Sequence, residues 1–132
     1  MSEQLPEFQA LGKKVSAPSR TLETFPAANT LTRVQMTSDE VTAMCPVTGQ
    51  PDYYTVEIDY QPRGRCIESK SLKLYFQSFR NEGMFCEDFA SRILADVREA
   101  VDPEDCSVTL HQKARGGITI RATASLGADA VD

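Results

Sequence analysis

Alternating apolar and polar positions mark the strands that the sequence predicts. The clearest run covers residues 53–60, where residues 54, 56, 58 and 60 are apolar or aromatic and residues 55, 57 and 59 are polar, as in a strand with one buried face. A less regular run at residues 31–37 predicts an earlier strand. Residues 62–64 (Pro-Arg-Gly) predict a turn, from which residues 65–69 can return as the partner strand.

The spacing of apolar residues becomes helical after residue 70. The residues Leu72, Tyr75, Phe76 and Phe79 recur at the spacing of one helix face, and Gly83 follows where such a helix would end. A second apolar stripe predicts another helix, which stops before Pro103. Its members are Phe85, Phe89, Ile93, Val97 and Val101.

Two more alternating segments follow the helices. The first carries Cys106, Val108 and Leu110, and the second carries Ile118, Ile120 and Ala122. Residues 115–117 (Arg-Gly-Gly) predict the hairpin turn between them. The resulting order, βββααββ, predicts an α+β fold with two helices on one face of an antiparallel sheet. We expect oligomerisation to cover the opposite face of so thin a layer.

The length of 132 residues favours one domain. Residues 1–29 are rich in Pro, Ser, Ala and Thr and predict an extended N-terminal arm, followed by a single catalytic domain at residues 30–132. The net charge of -5 argues against direct binding of nucleic acid. The sequence has no run of about 18 apolar residues and no apparent signal peptide, so we expect a cytoplasmic protein without membrane contact.

The cysteines are expected to be reduced thiols in that compartment. They are Cys45, Cys66, Cys86 and Cys106. Neither a CxxC pair nor a second histidine beside His111 is present, so no metal site is predicted. Cys66 and Cys106 are expected to pack in the core, and His111 to lie on the polar face of a strand.

A proline-rich segment, CPVTGQPD at residues 45–52, predicts a loop of fixed shape rather than a helix or a central strand. It presents the thiol of Cys45 at one end and the carboxylate of Asp52 at the other. Such a pair can act as a covalent nucleophile and a proton carrier. By themselves, however, the two residues are more typical of a buried cysteine that fills space and an aspartate in a turn.

Two lysines at the start of the first helix leave two interpretations open. Ser69 or Ser71 can cap this helix, which leaves backbone N–H groups available to an anion. Lys70 and Lys73 lie in the first turn, where the helix dipole disfavours cations. Their charge therefore fits either a phosphate-bearing partner or an ordinary solvated face.

Acidic residues at the start of the second helix also have an ordinary explanation, because the helix dipole favours them there. Glu87 could alternatively accept paired N–H donors of a purine-like ring. Arg115 can add to a phosphate site, although a turn alone explains its Gly-rich surroundings.

Taken together, these segments resemble the 7-cyano-7-deazaguanine reductases, the NADPH-dependent nitrile reductases of queuosine biosynthesis. The most specific segment is ESKSLKLY at residues 68–75, the signature that separates this family from its relatives. CPVTGQPD at 45–52 matches the catalytic loop, and FRNEGMFCED at 79–88 and RGG at 115–117 match later blocks.

The resemblance implies a reaction and a role for each candidate residue. Cys45 would add to the nitrile of 7-cyano-7-deazaguanine to give a thioimide, and Asp52 would supply the proton. Two NADPH would then yield 7-aminomethyl-7-deazaguanine, and the thiol is expected to have a lowered pKa. The substrate ring would be held by Ile67, Glu68, Ser69, Cys86 and Glu87. The cofactor phosphates would meet Lys70, Lys73 and Arg115.

The resemblance also implies the tunnelling fold, whose subunits join into rings around a barrel of strands; the short members form a decamer of two stacked pentamers. One departure is Cys86, where many relatives carry His. Proton delivery would then depend more on Asp52 or water.

Three other functions are compatible with parts of the pattern. An amidine-forming transferase of the same fold would share the Cys and Asp but lack ESKSLKLY. A pterin or GTP hydrolase would need a zinc site, which one histidine supports poorly. A non-catalytic purine-binding module would have a Cys45 of ordinary reactivity.

Overall fold

The computed structural model describes residues 17–127, which form six strands and two helices. In chain order they are β1 (Thr24–Pro26), β2 (Val34–Met44), β3 (Pro51–Gln61), β4 (Arg65–Ile67), α1 (Ser69–Gln77), α2 (Cys86–Val101), β5 (Asp105–Arg115) and β6 (Ile118–Gly127). This part of the chain contains no helix long and apolar enough to cross a membrane.

The main sheet is antiparallel throughout, in the order β2-β3-β5-β6. The even-numbered apolar residues of β3 are at most 1% exposed, as the alternation predicts, and Val56 lies opposite Leu110 of β5. Both helices contribute to the same core, α2 through Phe89, Ile93 and Val97. The predicted α+β arrangement, with both helices on one face of the sheet, is therefore confirmed.

The predicted pairing of residues 65–69 with the strand at 53–60 is wrong. β4 instead pairs with β1, with Ile67 opposite Thr24, and Ser69 already belongs to α1. β3 has no free edge for β4, because β2 and β5 occupy both of its sides. β1 lies within the predicted N-terminal arm, and its three residues are too few to show a period. Residues 1–16 of that arm lie outside the described residues.

A bulge explains why the sequence located only part of β2. Ser38 pairs with Val56 but Val41 pairs with Tyr54, so β2 has one extra residue between them. The core-facing positions consequently change from even to odd numbers, and Val41 is almost fully buried. This change of parity hides the second half of the strand from a search for simple alternation.

The end of α1 also differs from the prediction. The helix ends at Gln77, six residues before Gly83, because a series of turns follows Ser78. Gly83 instead forms a parallel bridge with Met44 at the end of β2, and a Cβ at this glycine would lie 3.5 Å from Pro46. The predicted second helix is confirmed, and it ends at Val101 before Pro103.

The face of the sheet opposite the helices is mainly polar. On β3 it carries Thr55, Glu57 and Asp59, and His111 of β5 lies 3.1 Å from the Glu57 carboxylate, on the polar face as expected. The polar character of this face gives no reason why oligomerisation would have to cover it. Within residues 17–127, the outer edges of β2 and β6 pair with no other strand.

Candidate active site

A short hairpin loop between β2 and β3 presents Cys45. The Cys45 N–H donates to the Gln50 carbonyl at 2.7 Å, and the Gly49 N–H donates to the Cys45 carbonyl at 2.8 Å. Gly49 has φ +71°, a conformation that favours glycine. The loop is thus closed by its own backbone, and it leaves the Cys45 side chain partly exposed.

Asp52 lies on a strand and not in the predicted loop. β3 is a central strand and begins at Pro51, a position where a proline is tolerated because it is the first residue. Asp52 is paired with Ala43 and is only 4% exposed. Strand alternation places its carboxylate on the face that the helices cover.

Arg115 binds this buried carboxylate. Its Nη1 lies 2.5 Å from Asp52 Oδ1, and its Nη2 donates to Thr48 Oγ1 at 3.2 Å and to Gln50 Oε1 at 3.3 Å. A bulge between Gln112 and Arg115 turns the arginine to this face, since regular alternation from Gln112 would direct it to the other. The guanidinium therefore joins β5 to the start of β3 and to the loop before it.

The same loop lowers the pKa of the Cys45 thiol from 9.0 to about 7. The largest cause is a hydrogen bond with the Thr48 side chain, followed by the backbone of Thr48 and Val47. Partial burial opposes this effect, and Arg115 adds to it. A substantial fraction of this thiol is consequently ionised at neutral pH, as a nucleophile requires.

The start of α2 lies beside the hairpin because backbone hydrogen bonds join the two. The Met44 N–H donates to the Glu82 carbonyl at 2.8 Å, and the Met84 N–H donates to the Met44 carbonyl at 3.0 Å. Cys86 and Glu87 follow Met84 after one intervening residue. Cys86 is buried, and this burial, with the nearby Glu87 and Asp52, raises the pKa of its thiol to about 11.

Cys86 is therefore a neutral thiol, whereas Glu87 is exposed in the first turn of α2. Cys66 and Cys106 are buried in the core, as predicted. All four cysteines are free thiols. Among residues 17–127, no group of three or more His, Cys, Asp and Glu side chains is placed to hold a metal.

Three residues of this site were missed by sequence reasoning. Thr48 and Gln50 were read only as parts of a rigid loop, although both contact Arg115. Tyr54 was assigned to the core, but burial and the charges of neighbouring site residues raise the pKa of its hydroxyl above the usual value. Its position, two residues after Asp52 on the same strand face, was the available signal.

The remaining candidates lie around the start of α1. The predicted cap by Ser69 or Ser71 is wrong, because the Glu68 carboxylate caps the helix and accepts the N–H groups of Lys70 at 2.8 Å and Ser71 at 2.7 Å. These N–H groups are consequently not available to an anion. Ile67 is buried in the core, where its N–H donates to the Tyr60 hydroxyl at 2.9 Å.

A shallow groove of about 110 Å³ lies near this cap. Ser69 and Lys73 line it from α1, and Ser38 and Glu40 line it from β2. Cys45 lies five residues further along the chain than Glu40, which is roughly 16 Å at about 3.3 Å per extended residue. A single chain thus brings Cys45, Asp52, Cys86, Glu87 and Arg115 together but keeps Ser69 and Lys73 apart from them.

Comparison with known proteins identifies the family. Residues 51–130 match the family model described as QueF-like protein. The chain is 44% identical to the NADPH-dependent 7-cyano-7-deazaguanine reductase of Frankia casuarinae, over 87% of this chain and 92% of the relative. Reductases of the same description from Thiobacillus denitrificans and Syntrophus aciditrophicus are 49% and 45% identical, over 78% and 92% of this chain and 76% and 88% of the relatives.

A solved structure supports the fold. The crystal structure of the archaeosine synthase QueF-Like in the apo form matches with a TM-score of 0.69 and 25% identity, over 73% of this chain and 94% of that chain. From the family match and these relatives, the chain belongs to the NADPH-dependent 7-cyano-7-deazaguanine reductases, a family of oxidoreductases.

Proposed function

We propose that this protein reduces the nitrile of 7-cyano-7-deazaguanine to 7-aminomethyl-7-deazaguanine in queuosine biosynthesis, through a covalent thioimide on Cys45. The observation that carries this proposal is a partly exposed thiol with a pKa of about 7, held by a rigid hairpin beside the buried Asp52. The names of the relatives support the substrate and the dependence on NADPH.

The first step is the addition of the Cys45 thiolate to the nitrile carbon. A carbon–sulfur bond forms, one π bond of the nitrile breaks, and its electron pair moves to nitrogen, which takes a proton. Asp52 can accept the thiol proton and return it to that nitrogen. Arg115 holds the carboxylate at 2.5 Å and so orients it for this transfer.

NADPH would supply the two hydrides of the reduction, two molecules for each nitrile. The residues at the start of α1 fit a phosphate-bearing group, because Lys70 and Lys73 are the second and fifth helical residues and the first turn has no acidic residue. Since Glu68 accepts the N–H groups of Lys70 and Ser71, the lysine ammonium groups would bind phosphate rather than the helix N-terminus. Arg115 is paired with Asp52, so a cofactor phosphate and the Asp52 carboxylate would have to share its guanidinium.

The predicted contacts with the substrate ring require residues from more than one subunit. Ser69 lies near Glu40, roughly 16 Å of extended chain from Cys45, while Glu87 lies beside the hairpin. One bicyclic ring is too small to touch both groups within a single chain. A neighbouring subunit that pairs along the open edge of β2 or β6 would complete the site, in agreement with the predicted cytoplasmic decamer of two pentamers.

Mass spectrometry tests the covalent step. Incubation with 7-cyano-7-deazaguanine alone should add one ligand mass, located on Cys45. Cys45→Ala should abolish the adduct, whereas Cys106→Ala, at a buried cysteine away from the hairpin, should retain it. A wild-type protein that forms no adduct contradicts the proposal.

Binding measurements test the assigned contacts separately. Glu87→Gln should weaken substrate binding if this carboxylate accepts the ring N–H donors, and unchanged affinity would remove the assignment. Equal rates of NADPH and NADH oxidation would contradict the predicted role of Lys70 and Lys73 at the 2′-phosphate.

An amidine-forming transferase is the alternative that the structural comparison raises, because the matching crystal structure is an archaeosine synthase. The ESKSLKLY signature at residues 68–75 and the 44–49% identity to reductases favour reduction. The two activities differ in their products: a transferase would consume the thioimide with an amine donor and would leave NADPH unoxidised.

A further inference from the structure

The hydroxyl of Tyr54 is buried and makes no hydrogen bond with any residue in the range 17–127. Buried hydroxyls without a partner are unfavourable, so folded proteins rarely retain them without a reason. The other two buried tyrosines show the usual arrangement. The Tyr60 hydroxyl accepts the Ile67 N–H at 2.9 Å, and the Tyr75 hydroxyl donates to Asp96 at 2.5 Å.

The position of Tyr54 connects this unpartnered group to the candidate active site. Tyr54 follows Asp52 by two residues on β3, so both side chains lie on the same face of the sheet. Its ring packs edge-on against Phe89 at the end of the first turn of α2, at 5.4 Å between centroids and 85° between planes. The side chain therefore lies between the strand that carries Asp52 and the helix that begins at Cys86.

Electrostatic contacts agree with this placement. Burial is the main cause that raises the pKa of Tyr54, and the charge of Asp52 is the next; Cys45 and Glu87 add to it. The phenol consequently stays protonated at neutral pH. It can donate a hydrogen bond, but it is a poor source of a proton for complete transfer.

We propose that substrate binding uncovers the Tyr54 hydroxyl, which is enclosed in this structure, and that this hydroxyl donates a hydrogen bond to the nitrile-derived nitrogen, which the Cys86 thiol does poorly. This inference rests on the proposed function. Cys86 lies beside the hairpin as a neutral thiol, and a thiol is only a weak hydrogen-bond donor. As Cys45 attacks the nitrile carbon, negative charge develops on the nitrogen. A hydrogen bond donated to this nitrogen by the Tyr54 hydroxyl would stabilise that charge. The proton itself still comes from Asp52.

Tyr54→Phe removes the hydroxyl alone, and Tyr60→Phe is its matched control. Both residues lie on the same face of β3 and are 0% exposed, but only the Tyr60 hydroxyl has a protein partner among residues 17–127. The rate of adduct formation with 7-cyano-7-deazaguanine should fall by roughly tenfold to a hundredfold in Tyr54→Phe, as for a lost hydrogen bond to a developing charge. It should be unchanged in folded Tyr60→Phe.

Two further readouts separate this role from a structural one. The melting temperature of Tyr54→Phe should be unchanged or higher, because no hydrogen bond is lost, whereas that of Tyr60→Phe should fall. Alkylation of Cys45 by iodoacetamide should be equally fast in Tyr54→Phe and the wild type, since this reagent develops no charge on a nitrogen.

Each opposite result has a distinct meaning. A wild-type protein without an adduct refutes the proposed function. A wild-type protein with an adduct and a Tyr54→Phe variant of equal rate refutes the role of Tyr54 alone. A lowered melting temperature in Tyr54→Phe, or slowed alkylation by iodoacetamide, would show that the hydroxyl supports the fold or the thiol, and either result overturns the inference.

Discussion

Replacement of Thr48 by valine tests the physical origin of the lowered pKa of Cys45. Valine keeps the shape of threonine but lacks the hydroxyl, which is the largest cause that lowers the pKa of Cys45 to about 7. The backbone contributions of Thr48 and Val47 remain in the variant. We therefore expect the pKa to rise from about 7 part of the way towards 9.0.

The size of the effect on reactivity has an upper limit. At pH 7, a thiol with a pKa of about 7 is roughly half ionised, but one at the ordinary value of 9.0 is only about 1% ionised. This fiftyfold difference is partly offset, because thiolate nucleophilicity increases with pKa and gains roughly eightfold over this interval. The net loss at pH 7 therefore cannot exceed roughly sixfold, and above about pH 8 the valine variant should react faster than the wild type.

The assay is the rate of Cys45 alkylation by iodoacetamide, followed by mass spectrometry from about pH 6 to about pH 10. The wild-type rate should rise with pH and reach a plateau above its midpoint near 7, since only the ionised thiol reacts. Thr48→Ser retains the hydroxyl and should keep this midpoint. The reasoning is refuted if Thr48→Val keeps the wild-type midpoint or if Thr48→Ser shifts it equally.

Three other predictions concern the groups around this thiol and the start of α1. Arg115→Ala leaves the buried Asp52 carboxylate without its cation and should lower the free energy of unfolding, measured with urea; wild-type stability would contradict this prediction. At pH 7, limiting iodoacetamide should label Cys45 before Cys86, because their pKa values are about 7 and about 11; mass spectrometry that finds Cys86 labelled first would contradict this order. Glu68→Ala removes a helix cap with two hydrogen bonds and should cost about 1 kcal/mol of stability, whereas equal stability of the alanine and wild-type proteins would rule out this role.

Local periodicity was sufficient to predict the elements in which the alternating or helical pattern is not interrupted. β3 has strict alternation and no bulge within Tyr54–Tyr60, so its buried face could be read directly. α2 was predicted equally well, because a long apolar stripe and Pro103 define it. Cys45 and Asp52 could be selected because a family resemblance, rather than their spacing, distinguishes them from ordinary loop residues.

Contacts between distant parts of the chain were not predictable in this way. Arg115 was expected at a phosphate, yet it pairs with Asp52, 63 residues earlier, because a bulge of one residue turns its side chain to the other face of the sheet. Glu68 was expected only at the substrate, but its carboxylate caps α1. Both arrangements depend on register and on competition between nearby acceptors, which no local pattern encodes.

The sequence by itself determined the α+β class and the two helices and selected Cys45 as the candidate nucleophile, because periodicity and a signature motif are properties of neighbouring residues. The tertiary structure alone decided why the pKa of this thiol is lowered. The hairpin places the Thr48 hydroxyl and the backbone N–H groups around the sulfur, and the bulge in β5 adds the charge of Arg115. The pKa of a thiol depends on donors and charges within a few ångströms, so it is set by the folded arrangement rather than by the order of residues.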